Sequence, residues 1–159
     1  MTTFLQRLLP KSWRPGQAAG AGLVATAAYS VAMEADKYVT GNHFNDVKFI
    51  QGLLGDTTAS STRTSAAAWA LHFLNGTLLA EVYAVFGKRL LPGPNWLKGA
   101  IFGGAFVLAV WPLTPLVDRY DPMVKNGQLP RLANWTSFWQ NMLRHAIFGI
   151  TLGLLYREK

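Results

Sequence analysis

The sequence has no cysteine and few charged residues. Without cysteine, disulfide bonds and thiolate metal sites are excluded. Only 14% of the 159 residues are charged, against about 25% in an average soluble domain. Residues 15–33 and 99–117 carry no charge, and residues 64–87 carry only Glu81. Each segment is long enough to form a helix that crosses the hydrocarbon core of a bilayer, which takes ~20 residues. The sequence therefore predicts an all-α integral membrane protein.

Motifs of common enzymes are also missing. The sequence contains no hydrolase triad motif, P-loop, dinucleotide fingerprint or His-Glu-x-x-His motif. Its net charge of +7 is not accompanied by a nucleic-acid-binding motif or by a basic face with interleaved aromatic residues. We therefore expect a protein that is not an enzyme, holds no metal and binds no nucleic acid.

The apolar segments predict one domain, residues 1–159, with four transmembrane helices at about 17–33, 66–86, 96–117 and 138–156. Residues 1–16 mix large apolar residues with basic residues, which is typical of a segment lying in the membrane interface. Since the sequence includes Met1, we expect Ala25-Thr26-Ala27 not to act as a signal-peptide cleavage site. Asn45 is expected to cap a short amphipathic helix ending near Leu54.

Basic residues are distributed unevenly along the chain. The N-terminal segment, the turn at 87–98 and the C-terminus carry eight positive charges against one negative: Arg7, Lys11, Arg14, Lys88, Arg89, Lys98, Arg157 and Lys159, against Glu158. The segments on the opposite side are nearly neutral. By the positive-inside rule, both termini lie in the cytoplasm and the protein lies in the cytoplasmic (inner) membrane. Arg144, inside the fourth apolar segment, is expected to extend its side chain to the outer interface.

Two pairs of segments repeat the same spacing. The second and fourth helices share His-x₃-Gly-x₃-small-x₂-Tyr, at His72–Tyr83 and His145–Tyr156. The first and third share a glycine followed, after thirteen residues, by Asp-basic-Tyr, at Gly22–Tyr38 and Gly104–Tyr120. We interpret these as two tandem copies of one helical hairpin, related by an axis along the membrane normal.

Small residues spaced four apart predict close helix packing, because they let backbones approach. The residues concerned are Gly16, Gly20, Gly76, Ala80, Gly99, Gly103, Gly149 and Gly153. Most lie towards the cytoplasmic side, so we expect a tight inner half and an outer half that splays into a cleft. Asp36 and Asp118, at the outer helix ends, either make local ion pairs beside the adjacent tyrosines or form an acidic rim around that cleft.

His72 and His145 share a helix face with the glycines and should therefore point into the bundle. Three interpretations stay open: structural hydrogen bonds to neighbouring helices, ligation of one haem or chlorin by both imidazoles, or a path for protons or a small solute. Ala68, four residues before His72, would leave space for a flat ring, whereas its counterpart Asn141 is bulkier. Glu81 is expected to pair with a nearby lysine or arginine.

Several stretches carry a resemblance to a known group of proteins. They are Trp69-Ala70-Leu71-His72-Phe73, Leu91-Pro92-Gly93-Pro94, Gly99-Ala100-Ile101-Phe102-Gly103 and the closing His145-x₃-Gly149-x₃-Gly153-Leu154-Leu155-Tyr156. Together they resemble small uncharacterised bacterial inner-membrane proteins of the YagU-like kind, over most of residues 17–157. The resemblance implies a four-helix membrane fold and no established activity.

The leading hypothesis is a non-catalytic accessory or structural subunit of a larger membrane complex, in contact with lipid and with a membrane protein partner or a second copy of the chain. The first alternative is a haem- or chlorin-binding protein of electron transfer or photosynthesis, with His72 and His145 as ligands. The second is a transporter of protons or a small solute.

Overall fold

The computed structural model describes residues 13–157, which are helical with short connections and contain no strand. Six helices follow one another: α1 Pro15–Thr40, α2 Asp46–Leu53, α3 Thr62–Leu90, α4 Asn95–Tyr120, α5 Pro122–Lys125 and α6 Trp135–Leu155. Within α3, Tyr83–Gly87 is π-helical, and within α4, Trp111–Leu113 forms a 3₁₀ turn at Pro112. The predicted interfacial segment 1–16 lies mostly outside the described residues.

Two of the described helices, α3 and α4, are long and apolar enough to cross a membrane. Their most apolar windows have mean hydropathies of 1.2 and 1.9. The all-helical fold is thus confirmed, and residues 13–157 hold two candidate membrane spans. The arrangement with four spans stays a prediction.

Local sequence signals fix the ends of α1. Pro15 occupies the first turn, where its missing N–H is harmless, and Gly41 ends the helix with φ of 68°. The amide of Gly41 donates to the carbonyl of Lys37 at 3.0 Å. The helix continues well past the predicted end at residue 33, because Asp36 is buried inside the protein and does not mark a solvated helix end.

Polar side chains organise the loops. Asn45 caps α2 as predicted, its Oδ1 accepting hydrogen bonds from the amides of Val47 and Lys48, both at 3.0 Å. Before α3, Asp56 accepts hydrogen bonds from Thr64 Oγ1 at 2.6 Å and the Ser61 amide at 3.0 Å. These hydrogen bonds, that of Thr64 first, lower the pKa of Asp56 to about 2. Its stabilising contribution is therefore present above about pH 4 and is lost as the pH falls towards 2.

The four long helices pack in the spatial order α3–α1–α6–α4. We call the end that contains Pro15, Leu90, Asn95 and Leu155 the terminal end, and the end that contains the connections 41–61 and 121–134 the loop end. At the terminal end α3 returns to α4, where the rings of Tyr83 and Phe102 lie 5.4 Å apart. At the loop end α3 and α4 separate, and α2 lies against α3.

Glycines set the closest helix contacts. In the α1–α3 pair, a Cβ on Gly22 would lie 2.7 Å from the Cβ of Ala80, and one on Gly76 would collide with Thr26 Oγ1. In the α4–α6 pair the backbones themselves touch. A Cβ on Gly99 or Gly149 would collide with the other glycine's carbonyl.

Two of the predicted packing residues have no such role among the described residues. A Cβ added at Gly16 or Gly20 would meet no atom within 4 Å. The reason is that both glycines lie on the face of α1 turned away from α3 and α6. The prediction of close packing at Gly16-x₃-Gly20 within this chain is therefore wrong for residues 13–157.

The contrast between buried and free glycines gives a matched test. We expect Gly149→Ala to destabilise the folded protein by about 1–3 kcal/mol, because the added methyl must push two backbones apart. Gly20→Ala adds the same methyl to open space and should be neutral or stabilising by up to ~1 kcal/mol through helix propensity. Unfolding by SDS titration from mild detergent, followed by circular dichroism, measures both. Equal effects would contradict the packing described here.

Candidate functional site

A buried ion pair joins α6 to α1 at the loop end. Arg144 is fully buried, with its Nε 2.6 Å from Oδ2 and its Nη2 2.8 Å from Oδ1 of Asp36. Its Nη1 lies 3.3 Å from Oδ2 of Asp46, the first residue of α2. The hydroxyl of Tyr29 donates to the same Asp46 oxygen at 2.9 Å. The contact between Arg144 and Asp36 is bidentate, which is the strongest form of arginine–carboxylate pairing. The cluster therefore holds α1, α2 and α6 together.

Further hydrogen bonds attach the segment after α1 to the same cluster. Gln140 Nε2 lies 3.0 Å from Asp36 Oδ1, 2.8 Å from Thr40 Oγ1 and 3.0 Å from the carbonyl oxygen of Asn42. Arg144 Nη2 donates to the carbonyl of Phe44 at 3.2 Å. These bonds fix the turn that leads into α2, and thereby the position of α2 against the bundle.

The structure corrects two expectations about charged residues. Arg144 does not extend to an interface, because the Asp36 carboxylate gives it a partner inside the bundle and a buried charge without one would be far more costly. Asp36, only 6% exposed, therefore forms no rim around a cleft. Asp118 forms no rim either, because its carboxylate accepts hydrogen bonds from the backbone amides of Leu132 at 2.6 Å and Ala133 at 3.0 Å.

A cavity of about 410 Å³ lies where α3 and α4 separate. Its wall is largely apolar and is completed by α1, α2 and α6, with six larger polar side chains reaching it: Tyr29, Asp46, His72, Asn75, Asn141 and His145. Leu71 and Asn75 of α3 and Val110 of α4 line the cavity and are also exposed on the protein surface, so they mark its mouth. The cavity occupies the half of the bundle where the glycine pattern predicts a cleft.

Both predicted histidines reach this cavity, and their hydrogen bonds define their tautomers. His72 Nε2 lies 3.2 Å from Ser30 Oγ, whose single proton goes to the carbonyl of Thr26 at 2.8 Å. Ser30 therefore accepts the Nε2 proton of His72, and Nδ1 carries the lone pair. His145 Nδ1 donates to the carbonyl of Asn141 at 2.9 Å, which leaves the lone pair on Nε2 at the far edge of the ring.

Aromatic side chains pack around the imidazoles. The ring of Tyr29 lies 5.5 Å from that of His72 and 5.0 Å from that of His145. Phe106 stacks on His145 at 5.2 Å with an interplanar angle of 29°. A haem or chlorin held by both histidines would have to displace the Tyr29 ring and compete with Ser30 for Nε2 of His72. The residues present therefore do not fit ligation of a macrocycle by this pair, and residues 13–157 hold no cluster of three or more metal-ligating side chains.

Sequence reasoning missed Tyr29, Asp46 and Asn75. Tyr29 lies two turns before Asp36 on one face of α1, and Asp36 and Arg144 are both charges inside apolar segments, so their meeting could have been inferred. The position of Asp46 depends on how the 41–45 turn folds, for which the sequence carries no signal. Glu81, expected to pair with a basic residue, accepts a hydrogen bond from the Trp13 indole N–H at 2.8 Å.

The chain belongs to a family of unknown function, DUF6789, which matches residues 14–158. No curated protein and no solved structure matches it. The family has no assigned function, and the match shows no link to the YagU-like proteins.

The ion pair can be tested against an exposed arginine. We expect Arg144→Met to destabilise the protein by about 3–5 kcal/mol, because it leaves Asp36 buried without its cation. Arg119→Met, at an exposed position beside Tyr120, should change the unfolding free energy by no more than about 1 kcal/mol. SDS titration of both purified variants compares them. Similar losses in the two variants would mean that Arg144 is solvated in the folded protein.

Proposed function

We propose that the protein is a four-span, non-catalytic accessory subunit of a larger complex in the cytoplasmic membrane. The observation that carries this proposal is a continuous face of small and apolar residues on α1 that no described part of the chain covers. Two further observations, the polarity of the surface and the placement of the charges, support the membrane location and the orientation.

The distribution of polar and apolar side chains suits a protein surrounded by lipid. The exposed side chains of α3 form an apolar face of Leu71, Leu74, Leu78, Val82, Phe86 and Leu90. The buried set, by contrast, includes Asp36, Gln140, Asn141 and Arg144. An apolar exterior, together with charged and amide side chains that are buried and hydrogen-bonded inside, is what a hydrocarbon solvent favours. This supports spans by α1 and α6 as well as by the two most apolar helices.

The structure gathers the basic segments at the terminal end. The amide of Arg14 lies 3.4 Å from the Tyr156 hydroxyl, and Lys88 Nζ donates to Asn95 Oδ1 at 2.6 Å. The start of α1, the α3–α4 turn and the end of α6 therefore share one end of the bundle. The positive-inside rule then supports a cytoplasmic terminal end, with both termini inside.

The exposed face of α1 suits another helix. Gly16, Gly20, Val24, Ala27 and Val31 recur at helical spacing and are all exposed. Towards the loop end two shallow apolar grooves, of about 500 and 540 Å³, flank this face. Small residues between grooves allow the close approach on which helix association in lipid depends. We therefore assign this face to a transmembrane helix of a partner subunit.

Because the chain lacks cysteine, a single introduced thiol tests this docking face. Ala27→Cys, carrying a photoactivatable crosslinker in native membranes, should yield an adduct with a different protein. Leu108→Cys, 59% exposed on α4 and away from the face, is the control and should yield lipid adducts only. An adduct of twice the chain mass, or none at all, would overturn the accessory role.

Orientation is tested with the same approach. Ser60→Cys and Asn126→Cys, exposed at the loop end, should react with a membrane-impermeant maleimide in intact cells. Leu90→Cys, 77% exposed at the terminal end, should react only after the membrane is opened. The reverse pattern would place the termini outside, and reaction at all three positions in intact cells would argue against the four-span topology.

The other hypotheses have less support. The histidine geometry does not fit a haem or chlorin bound by His72 and His145. For a transport path, the contact of Tyr83 with Phe102 closes the α3–α4 gap at the terminal end. We retain a relationship to the YagU-like proteins as part of this proposal, supported by the sequence motifs of α3, the α3–α4 turn, α4 and α6.

A further inference from the structure

We infer that the cavity between α3 and α4 binds an uncharged hydroxyaromatic lipid of the quinol class. Its ring lies beside His145, and its apolar tail leaves through the mouth between the two helices. This inference needs the membrane location but not the subunit role, so either one can fail without the other.

The size and the opening of the cavity suit a ring with a tail. A volume of about 410 Å³ is within the range of small-molecule sites. The mouth lies midway along two helices whose outer faces are apolar, with Leu71 42% and Val110 36% exposed. A ligand dissolved in the bilayer can therefore enter sideways, without crossing the polar loops.

The charges of the wall exclude an ionic head group. Within the part of the chain that the structure describes, no lysine or arginine lines the cavity. The one carboxylate in the wall, Asp46, is already satisfied by Arg144 at 3.3 Å and by the hydroxyl of Tyr29 at 2.9 Å. An anionic lipid would lack a cation here and a cationic one would compete with Arg144, so the ligand is neutral.

The hydrogen-bonding groups of the wall call for a ligand that donates. His145 Nε2 carries a lone pair, and none of the described residues donates to it. The Nδ2 of Asn141 donates a hydrogen bond to the carbonyl of Ser137 at 2.9 Å, and its Oδ1 is a second acceptor in the cavity wall. Asn75, exposed at the mouth, has no hydrogen-bond partner within residues 13–157. An amide left unpaired in hydrocarbon is costly, and a hydroxyl-bearing ligand would relieve that cost.

The aromatic residues select a flat ring over an aliphatic alcohol. Phe49, Phe106 and Phe148 line the cavity beside Tyr29 and the two imidazoles. Phe106 stacks on His145, and both rings line the cavity. A phenolic ring whose hydroxyl reaches His145 Nε2 would therefore lie close to aromatic side chains. Offset or edge-to-face contacts with these rings favour a flat aromatic ligand.

The test uses the purified protein in lipid nanodiscs and radiolabelled decylhydroquinone, kept reduced, with empty nanodiscs subtracted. We expect saturable binding at one site per chain. The dimethyl ether of the probe cannot donate and should bind the wild type about five- to tenfold more weakly, as the loss of one hydrogen bond predicts. Decanol, which has the hydroxyl but no ring, should not compete.

Two variants and a control locate the site. His145→Phe keeps a flat ring against Phe106 but removes Nε2, so it should weaken binding of decylhydroquinone while leaving that of the ether unchanged. Val110→Trp should abolish binding by filling the mouth, whereas Leu108→Trp, pointing to lipid, should not. Binding that never saturates, equal affinity for the ether, or full binding by Val110→Trp would each overturn the inference. The ether comparison on the wild type decides even if a variant does not fold.

Discussion

The pairing of Arg144 with Asp36 is the constraint on which the loop half of the molecule depends. A guanidinium in an apolar bundle must be matched by a carboxylate with good geometry, because an unmatched charge there costs several kcal/mol. Asp36 supplies that match from α1, which makes α1 and α6 neighbours along the bundle. Asp46 then joins the same guanidinium and brings α2 onto the bundle. One guanidinium therefore fixes both the α1–α6 contact and the position of α2.

On the hypothesis of an internal duplication, the two hairpins can be compared position by position at the cavity. If the two hairpins are copies, the position of Asp36 corresponds to Asp118 and that of Arg144 corresponds to Leu71. The α1–α6 contact thus has an ion pair, whereas the corresponding positions on α4 and α3 hold an aspartate and a leucine, which cannot form one. Asp118 instead holds the backbone of Leu132 and Ala133, and Leu71 lies at the mouth of the cavity. The cavity lies where the second ion pair is missing.

The two hairpins are alike in their cation–tyrosine contacts but differ in how closely their glycines pack. Lys37 and Arg119 each lie 5.4 Å from the ring of the tyrosine that follows, as a shared ancestry would give. The glycine contacts do not superimpose in register: Gly22 lies tightly against α3, whereas the tight contact with α6 is made by Gly103, and a Cβ on its predicted counterpart Gly104 would only reach Met142 at an ordinary 3.4 Å. The α4 and α6 backbones are in direct contact at Gly99, Gly103, Gly149 and Gly153. Packing in the two hairpins is therefore similar in kind but unequal in closeness.

The sequence predicts the parts of this structure that depend on local chemistry. The helical class, the cap at Asn45 and the inward position of His72 and His145 follow from spacing and residue type alone. The pairing of Arg144 across 108 residues does not, because a charge in an apolar segment has two solutions, the interface or a buried partner. Glycine spacing likewise reveals that a helix face is suited to close packing. It does not say whether the neighbour belongs to the same chain, and Gly16 and Gly20 have no close neighbour within residues 13–157.

The stability of the ion pair and the shape of the cavity are linked through one side chain. Tyr29 donates to the Asp46 oxygen that also faces Arg144, and its ring packs against both imidazoles. A change that displaces Asp46 removes the hydrogen bond that holds the Tyr29 ring, and the two histidines lose their common neighbour. Since α2 carries Asp46 and also lines the cavity, any displacement of α2 would alter the cavity wall. The charges thus act on the cavity by holding its walls in place, while the lone pair of His145 Nε2 stays free for a ligand.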